Sequence, residues 1–377
     1  MHYKNTDRKL GLTGLMRVKN EAQTLAQSID SCVKALDELI ITYNDSTDGS
    51  VQIIENKKLQ YPDKIIVVPY PYHVFYGTCS THEEFEYAKS LPVGHPQHFA
   101  TCCNNALQYV NYKYVLIVDA DEIYFPQALE SLRNSIVKGV NQNKLERFCG
   151  KVVNSIFCQR RDNRRIWSKC HPLHWFQYII VPLLRKQYMD FAIAELLKGD
   201  GYLSLSGVNV LRYHNQWYTP PIGCKWDNGM WWPYMGNGDH LVFEANEQTE
   251  YLPWDFTNGS GKKVLIERFD YPKGKMIFLL GFYWFHLKPM KKALYDQCLS
   301  YFNDYPNLML PVDQLRKVSF NRLLRHLDKN NDIHYLFRRN YFNFVHNLDK
   351  KAIRAENLDL SIRKNKAAAE EERVHKK

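Results

Sequence analysis

A chain of 377 residues with 45% hydrophobic and 24% charged content can bury one large core or two, which excludes a disordered or low-complexity protein. Its formal net charge of +10 favours an anionic partner, whether nucleotide phosphates, anionic lipid or nucleic acid, without choosing among them. The nine cysteines form no Cys-x-x-Cys pair, which argues against a zinc site and against a disulfide framework.

The chain opens on a polar segment, Met1 to Leu10, that lacks the pattern of a signal peptide, so the expected setting is cytoplasmic and reducing, at most peripheral at the inner face of a membrane. Leu10 to Val18 then reads as a first strand ending in Lys19-Asn20-Glu21. Ala22 to Leu36 carries apolar residues at Leu25, Ile29, Val33 and Leu36, a helical spacing. Glu38 to Thr42 is a second buried strand that runs into the polar turn Asn44-Asp45-Ser46-Thr47-Asp48-Gly49-Ser50, where Asp48 or Ser50 can cap the next helix. A helix over Val51 to Leu59 and a third strand over Lys64 to Val68 follow. Strand and helix alternating at this spacing predict right-handed βαβ units and a parallel sheet.

Tyr70 to Pro96 reads as a loop with one short helix near Glu83 to Lys89, and Phe99 to Val110 as a helix. The next stretch is the most informative. Val115 to Val118 is a short apolar run suited to a strand buried on both faces, and it delivers Asp119, Asp121 and Glu122 at its carboxyl end. Open α/β sheets bind ligands at such ends. Carboxylates this close repel unless a cation sits between them, and oxygen ligation suits Mg2+ or Mn2+ shared with substrate phosphates. The competing reading is a solvated acidic turn after a core strand.

Four features now stand in order: a strand ending in Asn20-Glu21, a strand ending in the acidic turn Asp45-Ser46-Thr47-Asp48-Gly49-Ser50, a helix carrying Asn104, and an apolar strand ending in Asp119-Ala120-Asp121. This series resembles family 2 glycosyltransferases of the GT-A fold over about residues 10 to 125, and more weakly to about 215. The resemblance implies an α/β fold with a mostly parallel sheet flanked by helices. It implies that Arg17, Asn20, Glu21, Asn44, Asp45, Asp48, Asn104, Asp119, Ala120 and Asp121 line a nucleotide-sugar site, with Asp45 on the uracil or ribose. It also implies that Asp119 and Asp121 meet the ribose and a metal-bound diphosphate. The chain departs from the family in two places: Asn44-Asp45 replaces an Asp-Asp pair, and Cys103-Asn104 an Arg-Asn pair.

Further on, Cys149 to Cys158 and Tyr178 to Arg185 read as strands, and Gln159 to Arg165 as a basic loop. Glu195, Gly199-Asp200-Gly201 and Leu211-Arg212-Tyr213-His214 resemble the Glu and His-Tyr landmarks of some lipopolysaccharide-core transferases, although Ala194 stands where those have His. An inverting transfer needs a carboxylate to take the acceptor proton, and Glu195 is the first candidate with Asp239 second. His214, with His286 behind it, is the candidate imidazole ligand beside Asp119 and Asp121.

Trp217 to Trp254 is rich in rings broken by Gly and Pro, which suggests an irregular stretch serving either as an acceptor-sugar platform or as core. Met276 to Leu287 is a buried element too short to span a bilayer. Beyond Pro289 the pattern is helical and basic, with Arg316, Lys317, Arg322, Arg325, Arg338 and Arg339 among apolar residues, a composition that can lie on an anionic membrane. The organisation expected is a catalytic domain over 1–255, a largely helical extension over 256–362 and a charged tail over 363–377. The function expected is metal-dependent inverting transfer of a hexose from a UDP-sugar to a glycan or glycolipid acceptor, of the kind that builds bacterial surface polysaccharide. Two rivals are a glycosyltransferase acting on nucleic acid and a non-catalytic basic membrane or nucleic-acid binding protein.

Overall fold

The computed structural model describes residues 8–75, 81–156, 159–160, 176–219, 225–226, 229–230, 233–236, 240–257, 263–270, 275–291, 295–296, 299, 309–323 and 335–358. The strands in chain order are β1 (Lys9–Val18), β2 (Glu38–Tyr43), β3 (Ile65–Pro69), β4 (Tyr112–Asp119), β5 (Glu122–Tyr124), β6 (Gln159–Arg160), β7 (Gly201–Asn209), β8 (Leu211–Tyr213) and β9 (Gln216–Thr219). They continue with β10 (Lys225–Trp226), β11 (Gly229–Met230), β12 (Tyr234–Met235), β13 (Leu241–Glu244), β14 (Glu250–Thr257), β15 (Lys263–Asp270), β16 (Met276–His286) and β17 (Leu310–Pro311). The helices are α1 (Leu25–Cys32), α2 (Ser50–Gln60), α3 (His82–Ser90), α4 (Phe99–Leu107), α5 (Pro126–Lys138), α6 (Lys144–Ile156), α7 (Gln177–Leu183), α8 (Arg185–Leu197), α9 (Phe320–Leu323) and α10 (Tyr335–Asp349).

The main sheet runs β3-β2-β1-β4-β13-β7-β16-β5, with β6 pairing β16 and β12 pairing β7. The expected mostly parallel α/β sheet is present. β3, β2, β1 and β4 are parallel, and β7 and β16 are parallel to each other. β13 pairs antiparallel with β4 on one side and with β7 on the other. The buried strands are apolar because both faces are covered: Leu12, Leu15 and Met16 of β1, Leu39 to Ile41 of β2 and Val115, Leu116 and Val118 of β4 are all fully enclosed. Register sets Arg17 opposite both Thr42 and Asp119, so β1, β2 and β4 end abreast.

Several expectations need correction. Cys149 to Cys158 is not a strand: α6 covers most of it, burying Gly150, Val153 and Ile156 at helical spacing. A Cβ at Gly150 would lie 2.5 Å from Phe191 Cβ, so the glycine is what lets α6 approach α8. Tyr178 to Arg185 is likewise helical, because α7 is apolar on every side and its composition hides the period. The domain boundary at 255 falls inside β14, and the residues after it supply β15 and the central strand β16, so residues 1–255 are not a separate unit. Within Trp217 to Trp254 the described residues are partly strand, as β12, β13 and β14, where an irregular stretch was expected. Residues 161–165 of the basic loop and the tail 363–377 lie outside the described residues.

α10 packs on β16 and carries His346, whose Nδ1 is 2.6 Å from the Tyr234 hydroxyl of β12 and whose Nε2 is 3.0 Å from the Val318 carbonyl. Burial, with Lys350 nearby, pushes this imidazole down to about 4. A folded-state value below the unfolded one means the unfolded chain binds the proton first. The group's contribution is therefore complete above about pH 6.5 and is lost as pH falls towards 4, up to about 3 kcal/mol. Urea unfolding at pH 7, 5.5 and 4 should show the stability gap between the native protein and His346→Gln narrowing by that amount. A gap independent of pH would show that the ring is not held neutral.

Candidate active site

The order β3-β2-β1-β4 places a topological switch between β1 and β4, and the crevice outside their carboxyl ends is where such sheets take ligands. Every strand end that matters points there. Arg17 ends β1, Asn44 to Ser50 follow β2, and Asp119 to Glu122 link β4 to β5. His240 precedes β13, which runs the other way, and His286 and Asn209 end β16 and β7.

The nucleotide-binding candidates form one hydrogen-bonded rim. Asn20 and Asp45 both adopt positive φ, 58° and 43°, turns that suit these residue types. Asn20 Oδ1 accepts from the Thr47 amide at 2.7 Å, and Asp48 accepts from the Ala22 amide at 2.9 Å and from the Ser50 hydroxyl at 2.6 Å. The Glu21 amide donates to the Ser50 hydroxyl at 2.8 Å. The loop after β1 is thus stitched to the loop after β2, and Asp48 and Asn20 serve that framework. Asp45 is left displayed, flanked by His73 Nδ1 at 2.7 Å, Lys19 at 3.6 Å and the Asn44 amide at 3.3 Å. Against the cost of burial, His73, Lys19 and the Asn44 amide together lower its pKa.

Asp119 is the centre of the charged cluster. Arg17 Nη2 lies 3.0 Å from one of its oxygens, and the other Arg17 nitrogen pairs with Glu267 of β15. The guanidinium also sits 5.1 Å over the Phe99 ring. On the far side His240 Nε2 is 3.3 Å from Asp119 Oδ2 and 3.0 Å from Glu122 Oε1. Glu122 is fully buried, and its other oxygen accepts the Tyr124 hydroxyl at 2.6 Å. Against the cost of burial, Arg17 and His240 hold the Asp119 carboxyl well below the usual range. Burial pushes Glu122 up, and against its own burial the two carboxylates push His240 up.

These three residues are the group among the described residues that could hold a cation, one donor atom from each lying within 4.8 Å of the others. The fit can be tested on the polar atoms themselves. His240 Nε2 and Glu122 Oε1 are buried without a hydrogen bond, close to each other but off the direction a bond requires. Donors about 2.1 Å from one ion are themselves roughly 3–4 Å apart, which is the spacing His240 Nε2 keeps from each of the two carboxylates. The residues present therefore fit a divalent cation.

Asp121 faces elsewhere. Its oxygens lie 3.4 Å from His286 Nε2 and 2.8 Å from Lys291 Nζ, and Lys291 reaches on to Glu21 at 2.7 Å. Asn209 fixes the His286 ring through Nδ1 at 2.8 Å. Although burial opposes it, His286 and Lys291 lower the Asp121 pKa. The main chain of Ala120 is anchored to Thr24, its carbonyl accepting that hydroxyl at 3.0 Å.

Three residues depart from expectation. Asn104 spends its side chain on the backbone of Tyr251, donating and accepting at 2.8 Å, so it supports β14 rather than a ligand. His214 is exposed at the tip of the β8–β9 turn and is not part of the donor cluster; His240 occupies that role. Glu195 lies near the end of α8, paired with Arg147 at 2.6 Å and Lys198 at 3.1 Å. α8 leads into the start of β7, which the register sets beside the start of β4 rather than its end. Five residues of strand separate Tyr114 from Asp119, on the order of 16 Å, so Glu195 belongs to the opposite edge of the sheet. Asp239 lies outside the described residues.

Known proteins share part of this chain. Residues 2–91 match the family described as beta-1,4-N-acetylgalactosaminyltransferase (CgtA). No curated protein matches. Among solved structures, a mannosyltransferase from Pyrobaculum calidifontis in complex with GDP-Man and Mn2+ is 18% identical, with a TM-score of 0.23, covering 34% of this chain and 32% of that one. TarS from S. aureus in complex with UDP-GlcNAc is 18% identical, with a TM-score of 0.22 and coverage of 32% and 29%. Glucosyl-3-phosphoglycerate synthase from Mycobacterium tuberculosis, with Mn2+, UDP and glucosyl-3-phosphoglycerate, is 17% identical, with a TM-score of 0.23 and coverage of 35% and 40%. The matched part is thus between 29% and 40% of each solved chain.

The Arg17 cluster yields a prediction of its own. Arg17→Met leaves Asp119 and Glu267 without their shared counter-ion in a largely buried place, which should cost about 3–5 kcal/mol. Arg17→Met with Glu267→Gln should recover part of it. Urea denaturation that found the single variant as stable as the native chain would show that the pairing adds nothing.

Proposed function

We propose that the chain is a divalent-cation-dependent glycosyltransferase that moves a hexose from a UDP-sugar to a glycan or glycolipid acceptor with inversion. The observation that carries this reading is the convergence of Asp119, Glu122 and His240 at the switch point, beside a rim that displays Asp45. The partial match of residues 2–91 to an N-acetylgalactosaminyltransferase family supports it. A role in surface polysaccharide synthesis is part of the same proposal.

In this reading the uridine lies along the rim, where Asp45 accepts hydrogen bonds from base or ribose while His73 and Lys19 fix its orientation. Asp119, Glu122 and His240 hold the cation. A bound Mn2+ or Mg2+ supplies a Lewis acid for the charge that develops on the departing diphosphate. Lys291, held between Glu21 and Asp121, places an ammonium beside the same charge. Attack by the acceptor hydroxyl on the anomeric carbon releases a proton that a carboxylate must take. With Glu195 on the opposite edge, Asp239, the immediate chain neighbour of His240, is the proposed base.

Three measurements test this. Calorimetry should give Mn2+ binding that Glu122→Gln and His240→Ala each weaken by tenfold or more, matching the usual loss when a metal ligand's support is removed. If Asp121→Asn alone abolishes it, the ion sits on the Asp121–His286 side and the assignment above fails. Asp45→Ala should weaken UDP binding by about 1.5–3 kcal/mol, and unchanged affinity would remove Asp45 from the nucleotide site. Asp239→Asn should lower turnover by about 10²–10⁴-fold with donor affinity kept, whereas near-normal turnover would pass the base role elsewhere. Absence of any Mn2+-dependent UDP-sugar hydrolysis or transfer by the native chain would favour the non-catalytic reading.

A further inference from the structure

The helices α6 and α7 carry an anomaly. α7 buries Gln177 and Val181 inward, yet its outward face is also apolar: Tyr178 is 62% exposed, Ile179 52% and Leu183 73%, with Pro182 on the same side. On α6, which touches α7, the outer positions Lys144, Leu145, Phe148 and Lys151 fall on one helical face, with Leu145 70% and Phe148 62% exposed. Single exposed apolar residues are ordinary, but a run of them on adjoining helices marks an interaction surface.

Charge indicates the occupant. Gln177, Tyr178 and Pro182 of α7 form one side of a cleft of about 1030 Å³, so the apolar face runs into it, and the other side is α10 and the turn after it. That cleft is lined by Arg185, Arg339, Lys350 and Lys351, and the carboxylate lining it, Asp349, is already paired with Arg185 at 2.8 Å. Arg339, Lys350 and Lys351 make no ion pair among the described residues, and neither do Lys144 and Lys151 of the α6 face. Apolar side chains rimmed by cations match the interface of an anionic bilayer, where rings and branched chains enter the acyl boundary and lysines stay with the phosphates. No described helix is long and apolar enough to cross a membrane, so attachment by these helices would be lateral.

We propose that α6, α7 and the basic cleft beside α7 dock the protein on an anionic lipid surface. This differs from the surface expected of the basic C-terminal helices alone, because the apolar anchor is α7, far from them in sequence. It does not rest on the proposed catalytic function.

The full chain should co-sediment with vesicles of 30% phosphatidylglycerol in phosphatidylcholine and weaken as salt is raised. Ile179→Glu with Leu183→Glu should reduce partitioning at least tenfold, and Leu145→Glu with Phe148→Glu should reduce it as well. Lys350→Glu with Lys351→Glu should reduce binding to anionic vesicles by about fivefold per cation removed and leave binding to neutral vesicles unchanged. All these positions are partly or fully exposed, so melting temperature and UDP affinity should match the native chain. Several outcomes overturn the proposal: no vesicle binding by the native chain, binding indifferent to the α7 double variant, or equal binding to neutral and anionic vesicles. So would sedimentation showing that the α7 variant only dissociates a dimer, which makes the face a contact between copies. Inorganic phosphate at millimolar concentration that protected the cleft lysines from acetylation as well as vesicles do would assign the cleft to a free anion.

Discussion

The carboxylate of Asp119 must stay ionised at the end of a buried strand, and much of the site follows from that requirement. A charge removed from water costs several kcal/mol unless partners take the place of the solvent. The parallel register of β1 and β4 sets Arg17 opposite Asp119, and Arg17 in turn compensates Glu267 from β15. His240 closes the other side and draws in Glu122, whose remaining oxygen is satisfied by Tyr124. Strand pairing and charge pairing therefore support each other. Neither could be shifted by one residue without exposing an apolar side chain or stranding an ion.

The aromatic core carries this arrangement inward. The indole of Trp284 packs against His240 with ring centroids 4.4 Å apart and against Tyr124 at 5.7 Å. It has room because Gly207 on the neighbouring strand has no side chain; a Cβ there would overlap the indole. β16 thus does two jobs, supporting the imidazole of His240 through Trp284 and presenting His286 to Asp121 two residues on.

How much of this the sequence displayed follows from the range of each interaction. β1, β2 and β4 were legible because each is a short apolar run that ends in polar residues, and β1, β2 and β3 follow one another along the chain in the order in which they pair. Asp119 and Asp121 face different partners in the fold. Period-two alternation puts them on one face, but Ala120 and Asp121 form a turn, so Asp121 swings to His286 and Glu122 joins Asp119. His240 lies more than a hundred residues away, just before an antiparallel strand, and nothing local marks it as a partner of Asp119. α7 was misread because a helix apolar all round has no period to detect, and that same property exposes its outer face. Glu195 looked apt from its neighbours, but the direction of β7, set by long-range pairing, decides which edge it reaches.

Two carboxylate pairs stand side by side at this edge, and charge distinguishes them. Glu21 and Asp121 already share an ammonium, Lys291, within 2.8 Å of both, and His286 lies beside one of them. A divalent ion entering there would have to displace a cation that the fold holds in place. Asp119 and Glu122 have Arg17 on one side only, and that guanidinium is divided with Glu267. Between them His240 offers a nitrogen that is close to both carboxylates yet hydrogen-bonded to neither. Once His240 gives up its proton to act as a ligand, Asp119 and Glu122 keep only the shared charge of Arg17, and an ion among the three donors would meet that demand. This is why the proposed cation belongs with Asp119, Glu122 and His240, while Lys291 is left as the fixed charge that a diphosphate would meet beside it.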